Sequence, residues 1–194
     1  MNCFLYLMVL ISLFSTGVYA EEKSEISVMS PDNNVKVVFK LIDNRPFYSI
    51  CLKNKALVDF SKLGFDFKKT PALEKNFVVA KYKIGEVDET WQQVWGEKQF
   101  IRNNYKELKL YLQEKSKLKR LMKVVFRVYN DGVGFRYEIP KQPKLAFVTI
   151  IDEKTEFKFT DNHFAWWIPA YKDNRYEYLY KKDPIIKLSV VHTP

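Results

Sequence analysis

The chain has 194 residues, 47% hydrophobic and 16% aromatic, with 32 Lys and Arg against 23 Asp and Glu. That length favours one domain with a core large enough to stand without staples, and the composition excludes a disordered or low-complexity chain. The formal charge of +9 would suit a nucleic acid, but the lysines are scattered singly through alternating segments, as at Lys36, Lys40 and Lys53, which is a solvated surface rather than a basic patch.

Phe4–Phe14 is a short apolar run. Val18-Tyr19-Ala20 then sets small residues at the −3 and −1 positions of a cut before Glu21. The run is too short for a comfortable membrane span. We read residues 1–20 as a signal peptide and 21–194 as the exported domain. Cleavage removes Cys3 and leaves Cys51 alone, so no internal disulfide is available. Cys51 lies in an apolar strand and is expected as a small buried residue.

Strand patterns follow closely on one another. Ile26–Met29 leads to the turn Ser30-Pro31-Asp32-Asn33-Asn34, and Val35, Val37, Phe39 and Leu41 then alternate with Lys36, Val38 and Lys40. Asp43-Asn44-Arg45-Pro46 turns the chain into Phe47–Leu52, and Lys53-Asn54-Lys55 turns it again into Ala56–Phe60. Leu63–Phe67 and Val78–Ile84 are further strands. Glu86–Asn104 is polar and aromatic with weak periodicity, and its Trp91 and Trp95 read best as caps on a sandwich. In Tyr105–Leu112 the residues Leu108, Leu110 and Leu112 share one side. Lys115–Lys123, with Lys115, Lys117, Lys119, Arg120 and Lys123, reads as a charged turn.

Asn130-Asp131-Gly132 joins Leu121–Tyr129 to Val133–Ile139. With Asp131-Gly132 as a two-residue type I′ turn, the register sets Arg127 opposite Arg136. Like charges there repel, which the pair tolerates if it is exposed or shares a carboxylate such as Glu138; the functional reading is a bound anion. Phe147–Ile151, Glu156–Phe159 and Ile185–Val191 complete the strands. Helical periodicity over ten or more residues is absent after the signal, which argues an antiparallel all-β sandwich.

The residue types needed for much enzyme chemistry are missing. His163 and His192 are the two histidines, and there is no Gly-x-Ser-x-Gly elbow for a nucleophile. One mature cysteine and two distant histidines do not make a zinc site, and no Asp-rich loop supplies a calcium shell. Asp88, Glu89 and Glu97 flank tryptophans, so a glycosidase-like carboxylate pair is conceivable there. The densest aromatic stretch is Phe164–Tyr180, FAWWIPAYKDNRYEYLY. Its flat rings and single Glu177 suit a sugar, a cation or an ordinary sheet core.

Several motifs fall in a recognisable order: Ser30-Pro31-Asp32-Asn33, then Glu89-Thr90-Trp91 with Val94-Trp95-Gly96-Glu97. Phe126-Arg127-Val128-Tyr129-Asn130-Asp131-Gly132-Val133-Gly134-Phe135-Arg136-Tyr137 comes next. Ala165-Trp166-Trp167-Ile168-Pro169-Ala170 leads to Tyr176-Glu177, and His192-Thr193-Pro194 closes the chain. Across the mature chain this resembles the N-terminal domain of glycoside hydrolase family 97.

The resemblance implies a large antiparallel β-supersandwich of the galactose-mutarotase type, with little helix. It implies exported, mostly periplasmic α-glucosidases or α-galactosidases acting on α-linked oligosaccharides. Their catalytic residues lie on a separate (β/α)₈ barrel. It further implies a calcium ion near the substrate, with Glu177 as this domain's one ligand, and Trp166, Trp167 and Tyr176 as sugar contacts second to packing. A barrel needs about 250 residues, so the expectation is a non-catalytic domain whose barrel is supplied elsewhere, in cis or in trans. The alternative is a stand-alone carbohydrate-binding module. On the first reading, apolar surface made for the barrel is left uncovered.

Overall fold

The computed structural model of the chain describes residues 25–169 and 178–188. The architecture is the expected all-β sandwich. The first sheet has the order β1 (Ile26–Met29), β2 (Val35–Ile42), β3 (Arg45–Leu52) and β4 (Lys55–Lys62). The second has the order β6 (Phe77–Gln92), β7 (Phe100–Glu114), β8 (Leu121–Val128) and β9 (Val133–Glu138). Two smaller ladders pair β5 (Phe65–Phe67) with β10 (Ile150–Glu153), and β11 (Phe164–Trp167) with β12 (Lys181–Pro184). All of these pairings are antiparallel.

The hairpins of the first sheet follow from turn chemistry. Asp43 and Asn44 have φ of 51° and 59°, and Lys53 and Asn54 have 47° and 66°. Two successive left-handed residues make a turn whose twist matches the flanking strands. The pairs Ile42↔Arg45 and Leu52↔Lys55 close directly on them. The turn before β3 is thus shorter than expected, and Arg45 and Pro46 already belong to the strand.

Alternation then fills the core. β2 sends Val35, Val37 and Phe39 inward, and β7 sends Leu108, Leu110 and Leu112. β8 adds Met122, Val124, Phe126 and Val128. Each such side chain contributes about 1.5–3 kcal/mol on burial. Tyr48 of β3 sits among them with its ring 5.8 Å from Phe126 and 5.6 Å from Phe135. Its hydroxyl donates to the Glu156 carbonyl at 2.8 Å, which satisfies the polar tip of an otherwise apolar residue.

The charged turn after β7 departs from its expected character. Arg120 is fully buried. Its Nε donates to Glu114 Oε2 at 2.8 Å and its Nη2 to Glu114 Oε1 at 2.7 Å. It also donates to the carbonyls of Pro71 at 2.6 Å and Ala72 at 2.9 Å. Glu114 and Arg120 face each other across the hairpin, where the Glu114 N–H bonds the Arg120 carbonyl at 2.8 Å. Lys115, Lys117 and Lys119 stay at the surface. Composition alone cannot separate the one inward residue from its outward neighbours.

The β8–β9 register is also corrected. Arg127 faces Gly134 and Arg136 faces Val125. The Tyr129 N–H bonds the Gly132 carbonyl at 2.8 Å, and the reversal lies over Asn130-Asp131. Neither Asp131 nor Gly132 has the positive φ of a type I′ turn. The reason is an outside contact: Asn130 Oδ1 accepts the Asp32 N–H at 3.1 Å, so a tertiary bond competes with the local turn preference.

Three smaller corrections remain, two of them in the C-terminal part. The segment expected as a strand at Glu156–Phe159 runs beside β4 with only an isolated bridge, Val58↔Phe159. Among the described residues the last strand is β12, and Ile185–Lys187, expected to open a strand, is a 3-10 turn; residues 189–191 of that expected strand lie outside the described residues. Cys51, expected buried, is half-exposed and paired across the sheet with Lys36 and Ala56.

Burial alone would raise the Glu114 carboxyl. Hydrogen bonds from Arg120 and Ser116, with the Arg120 charge, instead bring it below its ordinary value of 4.5. The folded state therefore gains from this pair above pH 4.5 and loses the gain as pH falls below it. Arg120→Ala strands a buried carboxylate and two carbonyls, and urea unfolding should show a loss of about 3–5 kcal/mol. The volume-matched double variant Glu114→Leu, Arg120→Met should lose far less, and its stability should fall less steeply in acid. Equal losses in the single and double variants would contradict this account.

Candidate functional site

The aromatic stretch that the sequence singles out is divided between two strands. β11 carries Phe164, Trp166 and Trp167, and β12 returns beside it with the pairs Trp166↔Lys182 and Trp167↔Lys181. Alternation turns Phe164 and Trp166 to one face, where they are 63% and 60% exposed. The Lys182 ammonium lies 5.3 Å over the Phe164 ring and 5.6 Å over the Trp166 ring. Trp167 turns the other way and is half-buried. Its indole N–H donates to Asp183 Oδ2 at 2.9 Å, and Lys181 lies 5.3 Å over its ring. Ile168 and Pro169 follow as buried residues.

Trp166 is therefore not packed among the described residues of this chain. It is an open ring braced by a cation, a surface that can stack on the apolar face of a sugar or against another protein. Trp167 is the one held in place. Tyr176 and Glu177, the other residues assigned to sugar and metal, lie outside the described residues, as do His192 and Pro194. Among the described residues no group of three or more His, Cys, Asp or Glu could hold a metal ion. His163, just before β11, sits edge-on to Phe159 with ring centroids 6.1 Å apart. Its Nε2 is buried with no hydrogen-bond partner among the described residues.

The second aromatic group lies elsewhere. Glu86–Asn104 is no irregular loop. β6 and β7 stay paired from Phe77↔Glu114 out to Gln92↔Phe100, while β8 accompanies β7 only as far as Lys106↔Val128. The outer part is a free two-stranded ribbon. Trp91 and Trp95 stand on it exposed, so they do not cap the sandwich. The long pairing was hidden because both faces of the ribbon carry polar residues, and the period-2 signal needs one dry face. Asp88 is occupied by Arg102, whose Nε and Nη2 donate at 2.8 and 2.7 Å. That charge-assisted bond holds the Asp88 carboxyl below its usual range. Glu89 accepts from Asn103 Nδ2 at 2.8 Å. These carboxylates are engaged with their own strand partners, as a stiffened ribbon requires.

The sheet's outer face resolves the arginine question. Arg127 Nε donates to Glu107 Oε2 at 2.9 Å, and its guanidinium lies 4.5 Å over Tyr105. Lys109 takes the other oxygen of Glu107 at 2.7 Å. Arg136 pairs with Glu138 at 2.7 Å, and Lys123 bonds the second Glu138 oxygen at 3.3 Å. Glu138 thus serves Arg136 and Lys123 rather than Arg127, and both arginines have carboxylate partners without any bound anion.

Two of the sequence motifs meet in space. Asp32 accepts from Ser30 Oγ at 2.6 Å, from the Asn34 N–H at 3.1 Å and from Asn34 Nδ2 at 2.7 Å. This, led by the Ser30 bond, lowers its carboxyl pKa. The turn so fixed gives the Asp32 N–H to Asn130. The Ser30–Asn33 and Asn130–Gly132 turns lock the two sheets at one end, which is a structural duty.

Residues 28–194 match the family model described as glycosyl-hydrolase 97 N-terminal. Among solved structures, the chain is similar to a glycoside hydrolase family 97 enzyme from Pseudoalteromonas sp. strain K8. In its complex with panose that enzyme is 38% identical with a TM-score of 0.81, over 87% of this chain and 26% of that one. Its complex with acarbose gives 38% and 0.77, over 82% and 24%. A β-arabinopyranosidase at 24% identity and a TM-score of 0.64, over 73% of this chain and 22% of that one, shares the fold. The chain spans about a quarter of the length of these solved relatives.

Because most of the Trp166 ring is in water, Trp166→Ala should change stability by less than about 0.5 kcal/mol in urea unfolding. A loss of several times that size would mean that the ring is packed in solution.

Proposed function

The chain belongs to the glycosyl-hydrolase 97 N-terminal family, and on that premise we propose that it is the non-catalytic N-terminal domain of an exported α-glycosidase. The observation that carries this reading is the match of nearly the whole chain to a quarter of a family 97 enzyme. The chemistry of the described residues agrees with it. The carboxylates of Asp88, Glu107, Glu114 and Glu138 are held in ion pairs, whereas glycoside hydrolysis needs two carboxyl groups facing a scissile bond.

In this reading the domain packs on a (β/α)₈ barrel and presents the end of its aromatic stretch to the barrel's substrate. The substrate class is α-linked oligosaccharides, in keeping with the panose and acarbose complexes of the Pseudoalteromonas enzyme. Trp166, with Tyr176, supplies ring surface to the sugar, while Trp167 holds the strand through Asp183. Glu177 is assigned as one calcium ligand. Calcium takes six to eight oxygens, so most of the shell has to come from the barrel. A calcium ion there would supply positive charge beside the substrate. Export follows from the signal segment at residues 1–20.

Co-expression of the full chain with a family 97 barrel tests this. Calcium-dependent hydrolysis of an aryl α-glucoside should appear only when both parts are present. With Glu177→Gln the calcium requirement should rise at least about tenfold. An unchanged requirement removes Glu177 from the metal.

A second reading, a stand-alone carbohydrate-binding module, is favoured by one observation, the open Phe164 and Trp166 face under Lys182. Calorimetry of the isolated chain with panose separates the two. Heat that saturates at millimolar sugar and disappears in Trp166→Ala supports a module; no heat leaves the supporting-domain reading alone.

A further inference from the structure

We propose that the projecting β6–β7 ribbon is the arm by which this domain grips the rest of a family 97 enzyme; the inference rests on the function proposed above and assigns the contact to a named element. The ribbon leaves the sheet beyond Lys106↔Val128 and continues from Val87↔Tyr105 to Gln92↔Phe100. At ~3.4 Å per residue it reaches about 20 Å past its neighbour strand. Trp91 and Ile101 share one face of it and Phe100 stands on the other. At the tip Val94 is 96% exposed and Trp95 88%. Both faces and the tip therefore present large apolar side chains to water.

The arm is also stiff. Arg102 grips Asp88 with two bonds and Asn103 bonds Glu89 across the strands. The Gln93 N–H bonds the Gln99 carbonyl at 3.0 Å, and the Gln93 side-chain amide bonds the Lys98 carbonyl. Gly96 turns the tip with φ of 137°, where a Cβ would meet the Gln93 amide nitrogen at 2.5 Å. A polar chain held so firmly beneath an apolar tip is preorganised, so a partner avoids the cost of ordering it.

Two-sided exposure chooses the kind of partner. A sugar stacks on one flat face, whereas a ribbon with an exposed ring on each face and an apolar tip fits a slot. The tip also has a hollow of about 430 Å³ lined by Gln92, Gln93, Val94, Trp95, Gly96 and Gln99. Apolar side chains among amides match a slot with an apolar floor and hydrogen-bonding walls. In the solved relative three quarters of the polypeptide lies outside the part matched here, which makes that remainder the occupant we commit to.

The test uses the full chain and, as probe, the Pseudoalteromonas enzyme with its matching quarter removed, co-expressed and then analysed by calorimetry and light scattering. The variant is Val94→Ser, Trp95→Ser, Phe100→Ser, whose positions are exposed, so the melting temperature of the chain should stay unchanged. Wild-type chain should bind the remainder, and the variant should bind at least about tenfold more weakly. Equal binding by wild type and variant overturns the arm while leaving the proposed function standing. No binding by the wild type overturns both. A dimer of the chain alone that the variant abolishes, with binding to the remainder unaffected, assigns the arm to a second copy and overturns the inference as well.

Discussion

A guanidinium with no access to water fixes one end of this sandwich. Arg120 spends its donors on Glu114 and on the carbonyls of Pro71 and Ala72. It thereby ties the β7–β8 hairpin to the segment that enters β6. Leu73 is fully buried beside that segment and bridges Phe65, and Phe77 opens β6 opposite Glu114. A buried ion pair adds little net stability over well-packed apolar residues. Its effect here is to fix position, since one misplaced partner leaves a charge buried and unpaired. The start of β6 is thereby set, and so are its first pairs with β7, Phe77↔Glu114 to Val79↔Leu112.

Past a one-residue shift between Val79 and Lys81, the pairing of β6 with β7 runs on to the ribbon at the other end. One hairpin thus performs two tasks. Its inner half provides Leu108, Leu110 and Leu112 to the core, and its outer half leaves the core and displays Trp91, Val94, Trp95 and Phe100. The transition falls where β8 stops. Across the sandwich, the Ser30–Asn33 turn and the Asn130–Gly132 turn hold the sheets together through Asp32 and Asn130. Two of the motifs that mark the family in sequence are fasteners between the sheets, while the tryptophan motifs form the ring-bearing surfaces on β11 and on the ribbon.

Legibility followed the source of each constraint. The turns at Asp43-Asn44 and Lys53-Asn54 were readable because Asn tolerates a left-handed backbone without outside help. The Leu108, Leu110, Leu112 face was readable because one side of the strand is dry. The Asn130-Asp131-Gly132 turn was misread because Asn130 answers to Asp32, distant in sequence and adjacent in space. Arg120 was misread for a similar reason: its neighbours are lysines in sequence, but its partners are a glutamate and two carbonyls. On β11, alternation distinguishes Trp166 from Trp167, but the sequence does not say which of the two faces water.

The sequence by itself determined the all-β class, most of the hairpins and the family, because these depend on local periodicity, turn residues and ordered motifs. Tertiary structure alone decided which arginine is buried, which strand register is adopted, which tryptophans are open and how far the ribbon projects. Those properties depend on what lies across the core from each residue. A chain read in order gives the pattern of each strand but not the surface against which the strand is set.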